Sequence, residues 1–96
     1  MTVRRGIAKT SRRLEQLVKG FSNHRRIQIM RLLEQSPELS LQDIADTLDI
    51  NFKTASEHVR RLAIPGLVLK RYEGRIVRHA LSPPGRHILK FLRILE

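Results

Sequence analysis

Two short helical segments joined by a three-residue turn carry the strongest structural information in this sequence. In the first segment, apolar residues recur at the i, i+3, i+4 and i+7 spacing of one helix face: Leu41, Ile44, Ala45 and Leu48. Ser40, with Asp43 three residues later, is a capping-box variant that begins this helix. Asn51 is a suitable N-cap for the second helix, which is predicted from Phe52 to about Ala63. Two helices connected in this way form a helix-turn-helix.

Two further helices are predicted before this unit. The first runs from about residue 7 or 12 to Lys19, with Gly20 as its stop, because apolar side chains lie at helical spacing: Leu14, Leu17, Val18 and Phe21. The second runs from the N-cap Asn23 through Glu34 and ends at Ser36-Pro37. The apolar face of the second helix is wide, so we expect it to be central to the core.

After Pro65-Gly66 the pattern changes to β-prone runs at 67–72 and 76–81, which flank the turn residues Glu73-Gly74-Arg75. A last helix follows, from about Pro84 to Leu95. The residue before a proline avoids helical backbone, so Ile64-Pro65 predicts that the helix from Phe52 stops near Ala63. The order is that of a mainly α winged helix-turn-helix with a small β-hairpin, in one domain over residues 1–96.

The charge of the chain favours a nucleic-acid partner. The 96 residues carry 19 Lys and Arg against 9 Asp and Glu, a net charge of +10. Fourteen of the cations are Arg, whose guanidinium pairs with phosphate oxygens in a bidentate way. Residues 1–36 and 59–96 are each net +7, whereas residues 37–58 are net −4. The alternative interpretation is a well-solvated surface.

Candidate DNA contacts follow from the helical wheel and the hairpin. The side chains predicted to face outward are Gln42 on the first helix of the helix-turn-helix, Lys53, Thr54, Ser56, Glu57, Arg60 and Arg61 on the second, and Arg75 and Arg78 in the hairpin. Small, polar and cationic groups of this kind reach base edges and phosphates from the major groove. Glu57 fits there only if it accepts a hydrogen bond from cytosine or pairs with a neighbouring Arg. Tyr72 either hydrogen-bonds a phosphate or fills the hairpin face. Arg4, Arg5, Arg12 and Arg13 form either a DNA-binding arm or a solvated tail.

Residues 48–68 resemble the recognition segment of ArsR-like transcriptional repressors. The matching positions are Thr54, Ser56, His58, Leu62, the closing Gly66-Leu67-Val68, and the turn Tyr72-Glu73-Gly74-Arg75. The resemblance covers roughly residues 21–81 and implies a homodimeric repressor that binds double-stranded DNA. The cysteines of metal-sensing members are absent, since their place is taken by Ser40-Leu41-Gln42-Asp43, and only His87 and Glu96 are available on the last helix. We therefore predict no metal and no cofactor, and the residues do not identify a small-molecule effector.

The terminal segments, residues 1–20 and 84–95, lie where this family places its dimer contacts. Both carry more large apolar side chains than one face of a small domain needs. The residues predicted to form the dimer interface are Leu14, Leu17, Val18, Ile88, Phe91, Leu92 and Leu95, with Phe21 beside them. The alternative is that both helices only close the core of the monomer.

Several other classes of protein are not supported. The sequence has no cysteine, no metal-binding His spacing, no phosphate loop and no catalytic motif, so we predict no enzyme. His58 is expected to be a scaffold residue. No apolar run reaches the roughly 18 residues of a membrane span, and residues 1–6 do not resemble a signal peptide, so a cytoplasmic protein is expected. The alternatives to a specific regulator are a sequence-tolerant binder of DNA, RNA or the ribosome, and a protein-interaction module.

Overall fold

A computed structural model describes the backbone of residues 2–96 and the side chains of residues 10–96, and over this part the chain forms five helices and one hairpin. The elements are α1 (Thr2–Phe21), α2 (His24–Gln35), α3 (Leu41–Leu48), α4 (Phe52–Ala63), β1 (Val68–Glu73), β2 (Ile76–Leu81) and α5 (Pro83–Leu95). This order confirms the predicted winged helix-turn-helix.

Side-chain caps set the starts of the helices that form the helix-turn-helix. Ser40 and Asp43 form a reciprocal capping box at the start of α3, as predicted. The Asn51 side chain accepts hydrogen bonds from the backbone of Lys53 (2.8 Å) and Thr54 (3.3 Å), which begins α4. Asp49 adopts the left-handed conformation (φ 52°) that ends α3. The three-residue turn between α3 and α4 is therefore fixed at both ends.

Two predictions about α1 are wrong. The helix begins at Thr2, and it continues through Gly20 to Phe21, so Gly20 is not its stop. Gly20 instead permits a close approach, because a Cβ at this position would lie 2.7 Å from Cγ of Pro65. Phe21, placed beside the dimer candidates by the sequence, is buried in the core of the monomer.

Helix α4 ends at Ala63 as predicted, but for a different reason. Ile64 keeps helical backbone angles (φ −54°, ψ −52°) although Pro65 follows it. The chain leaves the helix at Gly66, which has a φ of 83°. Gly66 N donates to the Ala63 carbonyl and Leu67 N to the Leu62 carbonyl, both at 2.9 Å. This is a Schellman motif, in which the left-handed glycine stops the helix.

The hairpin is antiparallel, and its buried residues Val68 and Leu81 belong to the core. Its register runs from Val68 opposite Leu81 to Glu73 opposite Ile76, so Glu73 belongs to β1 and the turn is Gly74-Arg75. Gly74 has a φ of 60°, which a glycine adopts without strain. The hairpin is also attached to the loop before α3, since the backbone of His79 bonds with Glu38 and Leu39.

The core lies where α2 meets the other elements, as the wide apolar face of α2 predicts. Its fully buried side chains come from five elements and the segment before the hairpin: Ile29, Met30, Leu33, Ile44, Val59, Leu62, Leu67, Val68 and Leu89. At the start of α5, Ser82 caps the helix by accepting from Gly85 N (3.1 Å) and donates to the Leu67 carbonyl (3.0 Å). The start of α5, at Pro83, is thereby joined to the start of the hairpin. Among the residues described, no helix is both long and apolar enough to cross a bilayer.

Candidate nucleic-acid interface

The outer face of α4 is a continuous row of polar and charged side chains. The inner face of α4 is formed by Ala55, Val59 and Leu62, which are buried. All of the predicted DNA contacts on α4 are exposed: Lys53, Thr54, Ser56, Glu57, Arg60 and Arg61. The buried residues and the Asn51 cap hold the helix against the core, so this row is presented on a rigid element.

Glu57 binds two arginines on this row. Arg60 donates to both carboxylate oxygens, from Nε at 3.0 Å and from Nη2 at 2.7 Å. Arg61 Nε donates to Oε1 at 3.0 Å. The hydrogen bonds from Arg60 and then Arg61 lower the pKa of Glu57 to about 2, so the carboxylate is ionised at neutral pH. The sequence requirement that Glu57 pair with a neighbouring Arg is therefore met.

A groove of about 560 Å³ separates the helix-turn-helix from the hairpin. On one side it is lined by Gln42 and Asp43 of α3 and by Phe52 of α4, which is half exposed. Gln42 is exposed and donates from Nε2 to Asp46 at 2.8 Å. On the other side the lining includes Tyr72, for which the sequence left a phosphate contact and packing on the hairpin face open, and Lys70, which was not among the predicted contacts.

Lys70 and Tyr72 share a hairpin face with Val77 and His79, since side chains alternate along a strand. The period-2 pattern of β1 was the signal that could have identified Lys70 as a residue on the same face as Tyr72. The predicted contacts Arg75 and Arg78 also line the groove. Arg75 is exposed at the turn, whereas the Arg78 side chain is 28% exposed and lies 3.6 Å from Glu73.

Arg71 differs from these cations because two carboxylates hold it. Its Nη2 lies 2.8 Å from Glu38 and 3.2 Å from Glu73. The hydrogen bonds that Arg71 donates to Glu38 are the main reason that the pKa of Arg71 is raised. Arg71 is therefore held by ion pairs within the protein, and we do not count it with the cations that line the groove.

Arg26 and His58 join three helices behind the outer face of α4. Arg26 Nε donates to Nδ1 of His58 at 3.2 Å, and Arg26 Nη1 donates to the carbonyls of Lys19 (3.3 Å) and Gly20 (3.4 Å). Burial and then the nearby Arg26 charge lower the pKa of His58. The predicted scaffold role of His58 is confirmed, because it accepts a hydrogen bond that ties α4 to α2 and α1.

His79 makes a second histidine contact within the scaffold. It is buried, and its Nδ1 donates to the Leu39 carbonyl at 2.9 Å. Burial is the main cause that lowers the pKa of His79. A histidine whose pKa is lower in the folded state binds fewer protons there than in the unfolded chain.

We expect the free energy of unfolding to be highest above about pH 6.5 and to fall as the pH decreases through that value. In this range His58 and His79 take up protons more readily in the unfolded chain than in the folded protein, because folding lowers the pKa of both. Urea denaturation at several pH values between 7.5 and 5.5 checks this. His79→Leu should reduce the slope of stability against pH, whereas His87→Leu, at an exposed position of α5, should not. Equal slopes in wild type and His79→Leu would show that His79 makes no such contribution.

The predicted dimer residues divide into two groups. Leu17, Ile88 and Leu92 pack against the core of the monomer. The others remain exposed: Leu14 (53%), Val18 (50%), Phe91 (52%) and Leu95 (66%). Ile94, which was not among the predicted residues, is 75% exposed on α5.

Two ion pairs join α5 and the residue after it to α2. Arg93 pairs with Glu34 at 2.8 Å, and Arg31 pairs with Glu96. In the predicted arm, Arg12 and Arg13 are exposed, and Arg4 and Arg5 lie outside the residues whose side chains are described. Among the described side chains, no three His, Cys, Asp or Glu residues come together as a metal site.

Comparison with known proteins gives a consistent result. Residues 23–70 match the model of a family described as bacterial regulatory protein, arsR family. The transcriptional activator HlyU of Vibrio cholerae is 34% identical over 74 residues, which cover 77% of this chain and 68% of HlyU.

Solved structures agree with these sequence matches. The homodimeric winged helix-turn-helix DNA-binding domain of Mb0332 from Mycobacterium bovis, a possible ArsR-family regulator, superposes with a TM-score of 0.83 at 27% identity. That match covers 92% of this chain and 82% of the Mb0332 domain. A structure of HlyU from Vibrio cholerae gives a TM-score of 0.79 at 31% identity, over 91% of this chain and 95% of HlyU.

Proposed function

The chain belongs to the arsR family of bacterial regulatory proteins, and we propose that this DNA-binding transcriptional regulator reads a specific operator as a homodimer. Proteins of this family regulate transcription and are not enzymes, which agrees with the sequence prediction. The observation that carries the proposal is the exposed row of α4, from Lys53 to Arg61, held rigidly above a buried face. A single helix of this kind fits the major groove of B-DNA, which is about 12 Å wide.

The groove between α3, α4 and the hairpin supports the same arrangement. One sugar-phosphate strand separates the major groove from the adjacent minor groove, so a protein that enters both must accommodate that strand between its two reading elements. Lys70, Arg75 and Arg78 supply cations along this groove, and Tyr72 supplies a hydroxyl group. We assign these side chains to phosphate contacts, with Arg75 at the turn nearest the minor groove.

A homodimer completes the operator contact. Two α4 helices about 34 Å apart would enter successive major grooves on one face of the duplex. The exposed apolar side chains Leu14, Val18, Phe91 and Leu95 support a self-complementary interface of α1 and α5. The related Mb0332 domain is described as homodimeric. We place this activity in the cytoplasm, where the chromosome of a bacterium lies.

We propose repression as the direct effect of operator binding, because a bound dimer excludes polymerase wherever the operator overlaps a promoter. HlyU, the relative that is 34% identical, is a transcriptional activator. The same DNA contacts serve activation when the operator lies upstream of the promoter. The position of the operator, rather than the reading face, therefore sets the sign of regulation.

Substitution of two residues on α4 tests whether the protein reads sequence. We expect Ser56→Ala/Arg60→Ala to weaken binding to an operator selected from random duplexes by at least about tenfold, since one bidentate base contact contributes about 1–3 kcal/mol. Binding to a scrambled duplex of equal composition should change much less. Fluorescence anisotropy at fixed salt measures both affinities.

The control is Arg86→Ala, which removes one positive charge from an exposed position on α5. It should leave the ratio of the two affinities unchanged. If the α4 variant weakens both duplexes equally, the protein is a sequence-tolerant binder whose net charge of +10 supplies the affinity. If wild type binds neither duplex, the interaction-module alternative is favoured.

A further inference from the structure

We propose that Glu57 is a positioning residue that presents one edge of the Arg60 guanidinium to a guanine of the operator. This inference rests on the proposed function, because it assigns a role within the same reading face. It begins from the geometry of the carboxylate pair. Arg60 uses its Nε and Nη2 atoms, at 3.0 and 2.7 Å, to bind the two oxygens of Glu57 side-on.

The side-on pair leaves the adjacent edge of the guanidinium available. A planar guanidinium has five N–H donors, and the pair with Glu57 occupies the edge formed by Nε and Nη2. The edge formed by Nη1 and Nη2 still carries two parallel N–H donors. Guanine presents two neighbouring acceptors, O6 and N7, in the major groove, and bidentate Arg is their commonest partner. The two donors of the free edge therefore match the two acceptors of guanine.

Glu57 also restricts where Arg60 can go when guanine is absent. If the Arg60 guanidinium turned away from the bases to reach a phosphate, it would break its two hydrogen bonds to Glu57. The carboxylate would then lose its bidentate partner close to the anionic phosphates, which is unfavourable for an anion. A wrong base is thus penalised twice, by the unpaired arginine edge and by the carboxylate that holds it.

Arg61 strengthens this restriction from the next turn of the helix. Its Nε atom donates to Glu57 Oε1 at 3.0 Å, so the carboxylate is held between two guanidinium groups. The carboxylate stays ionised over the physiological pH range, because these hydrogen bonds lower the pKa of Glu57 to about 2. The arrangement is formed before DNA binds, which reduces the side-chain entropy lost on binding.

Two substitutions of Glu57 separate its position from its charge. Glu57→Gln removes the negative charge, so binding to a scrambled duplex should tighten a few-fold. Glu57→Asp keeps the charge but shortens the side chain by one methylene, so the side-on pair with Arg60 should be lost while scrambled-duplex affinity stays unchanged. Both variants should lose about tenfold in discrimination at one G·C pair of each half-site.

The measurement is the affinity for every single-base-pair variant of the selected operator, at fixed salt. The matched control is Glu15→Gln, which removes an exposed carboxylate of α1 that pairs with Lys19 at 3.2 Å and i+4 spacing. It should change no base preference. If the wild-type protein discriminates between base pairs and the Glu57 variants show the same discrimination at every position, this inference alone is overturned. A wild-type protein without base preference overturns the proposed function as well.

Discussion

We expect Phe91→Glu to convert the proposed homodimer into a monomer and to weaken operator binding by about 100-fold or more, because each half-site would then be bound without its partner. The Phe91 side chain is 52% exposed on α5, beside Ile94 and Leu95, which are 75% and 66% exposed. At a two-fold interface the same patch of each protomer meets its copy. The substitution therefore places two carboxylates in an apolar contact, where unpaired charges are costly.

Sedimentation equilibrium across a range of protein concentrations measures the oligomeric state, and anisotropy with the selected operator measures the affinity. Arg86→Glu is the control, since it changes the charge of the same helix by more but at an exposed position on another face. It should remain dimeric. A Phe91→Glu protein that is still a dimer would show that the outer face of α5 is not the interface.

The second large effect is on stability: Gly85→Ala should reduce the free energy of unfolding by about 3 kcal/mol through overpacking. A Cβ at this position would lie 2.5 Å from the Leu67 carbonyl oxygen and 2.6 Å from Cδ1 of Leu81. The Leu67 carbonyl accepts hydrogen bonds from both the backbone and the side chain of Ser82, so moving it aside would disturb the contact between the hairpin and α5. This clash exceeds the helix-propensity gain of about 1 kcal/mol that alanine offers over glycine.

Thermal unfolding gives the result directly, since about 3 kcal/mol corresponds to a decrease of roughly 15 °C in Tm for a domain of this size. Gly66→Ala is the matched control. A Cβ at Gly66 would have no atom of the described residues within 4 Å, but the φ of this residue is +83°, so only backbone strain of about 1–2 kcal/mol opposes the substitution. Equal Tm values for the two variants would show that the clash at Gly85 destabilises the fold no more than the backbone strain at Gly66 does.

Local patterns predicted the elements of this fold well because local interactions set their boundaries. Asn23, Ser40 and Asn51 are N-caps in the structure, as their positions before apolar-periodic segments indicate. The contact between Glu57 and Arg60 follows from their i, i+3 spacing on one helix. These features depend on residues fewer than five positions apart, so a sequence displays them directly.

Tertiary packing explains what the sequence could not show. Gly20 looks like a helix stop, but it faces Pro65, which lies 45 positions later in the chain. The apolar residues of α5 share one pattern, yet the packing of α5 against α2 buries Leu89 and leaves Phe91 half exposed. Lys70 and Tyr72 belong to the groove only because the hairpin lies beside α3 and α4. The reading residues on α4 stay a prediction until DNA binding is measured.

The most direct test of sequence reading is a competition experiment with the wild-type protein. An operator is selected from random duplexes and then competed against a scrambled duplex of equal composition at about 50 and 200 mM salt. We expect a two-fold symmetric operator with half-sites about one helical turn apart, and a preference of about 100-fold or more that persists at the higher salt. Equal affinities that decrease together as salt rises would contradict a reading role for α4 and leave phosphate attraction as the source of binding.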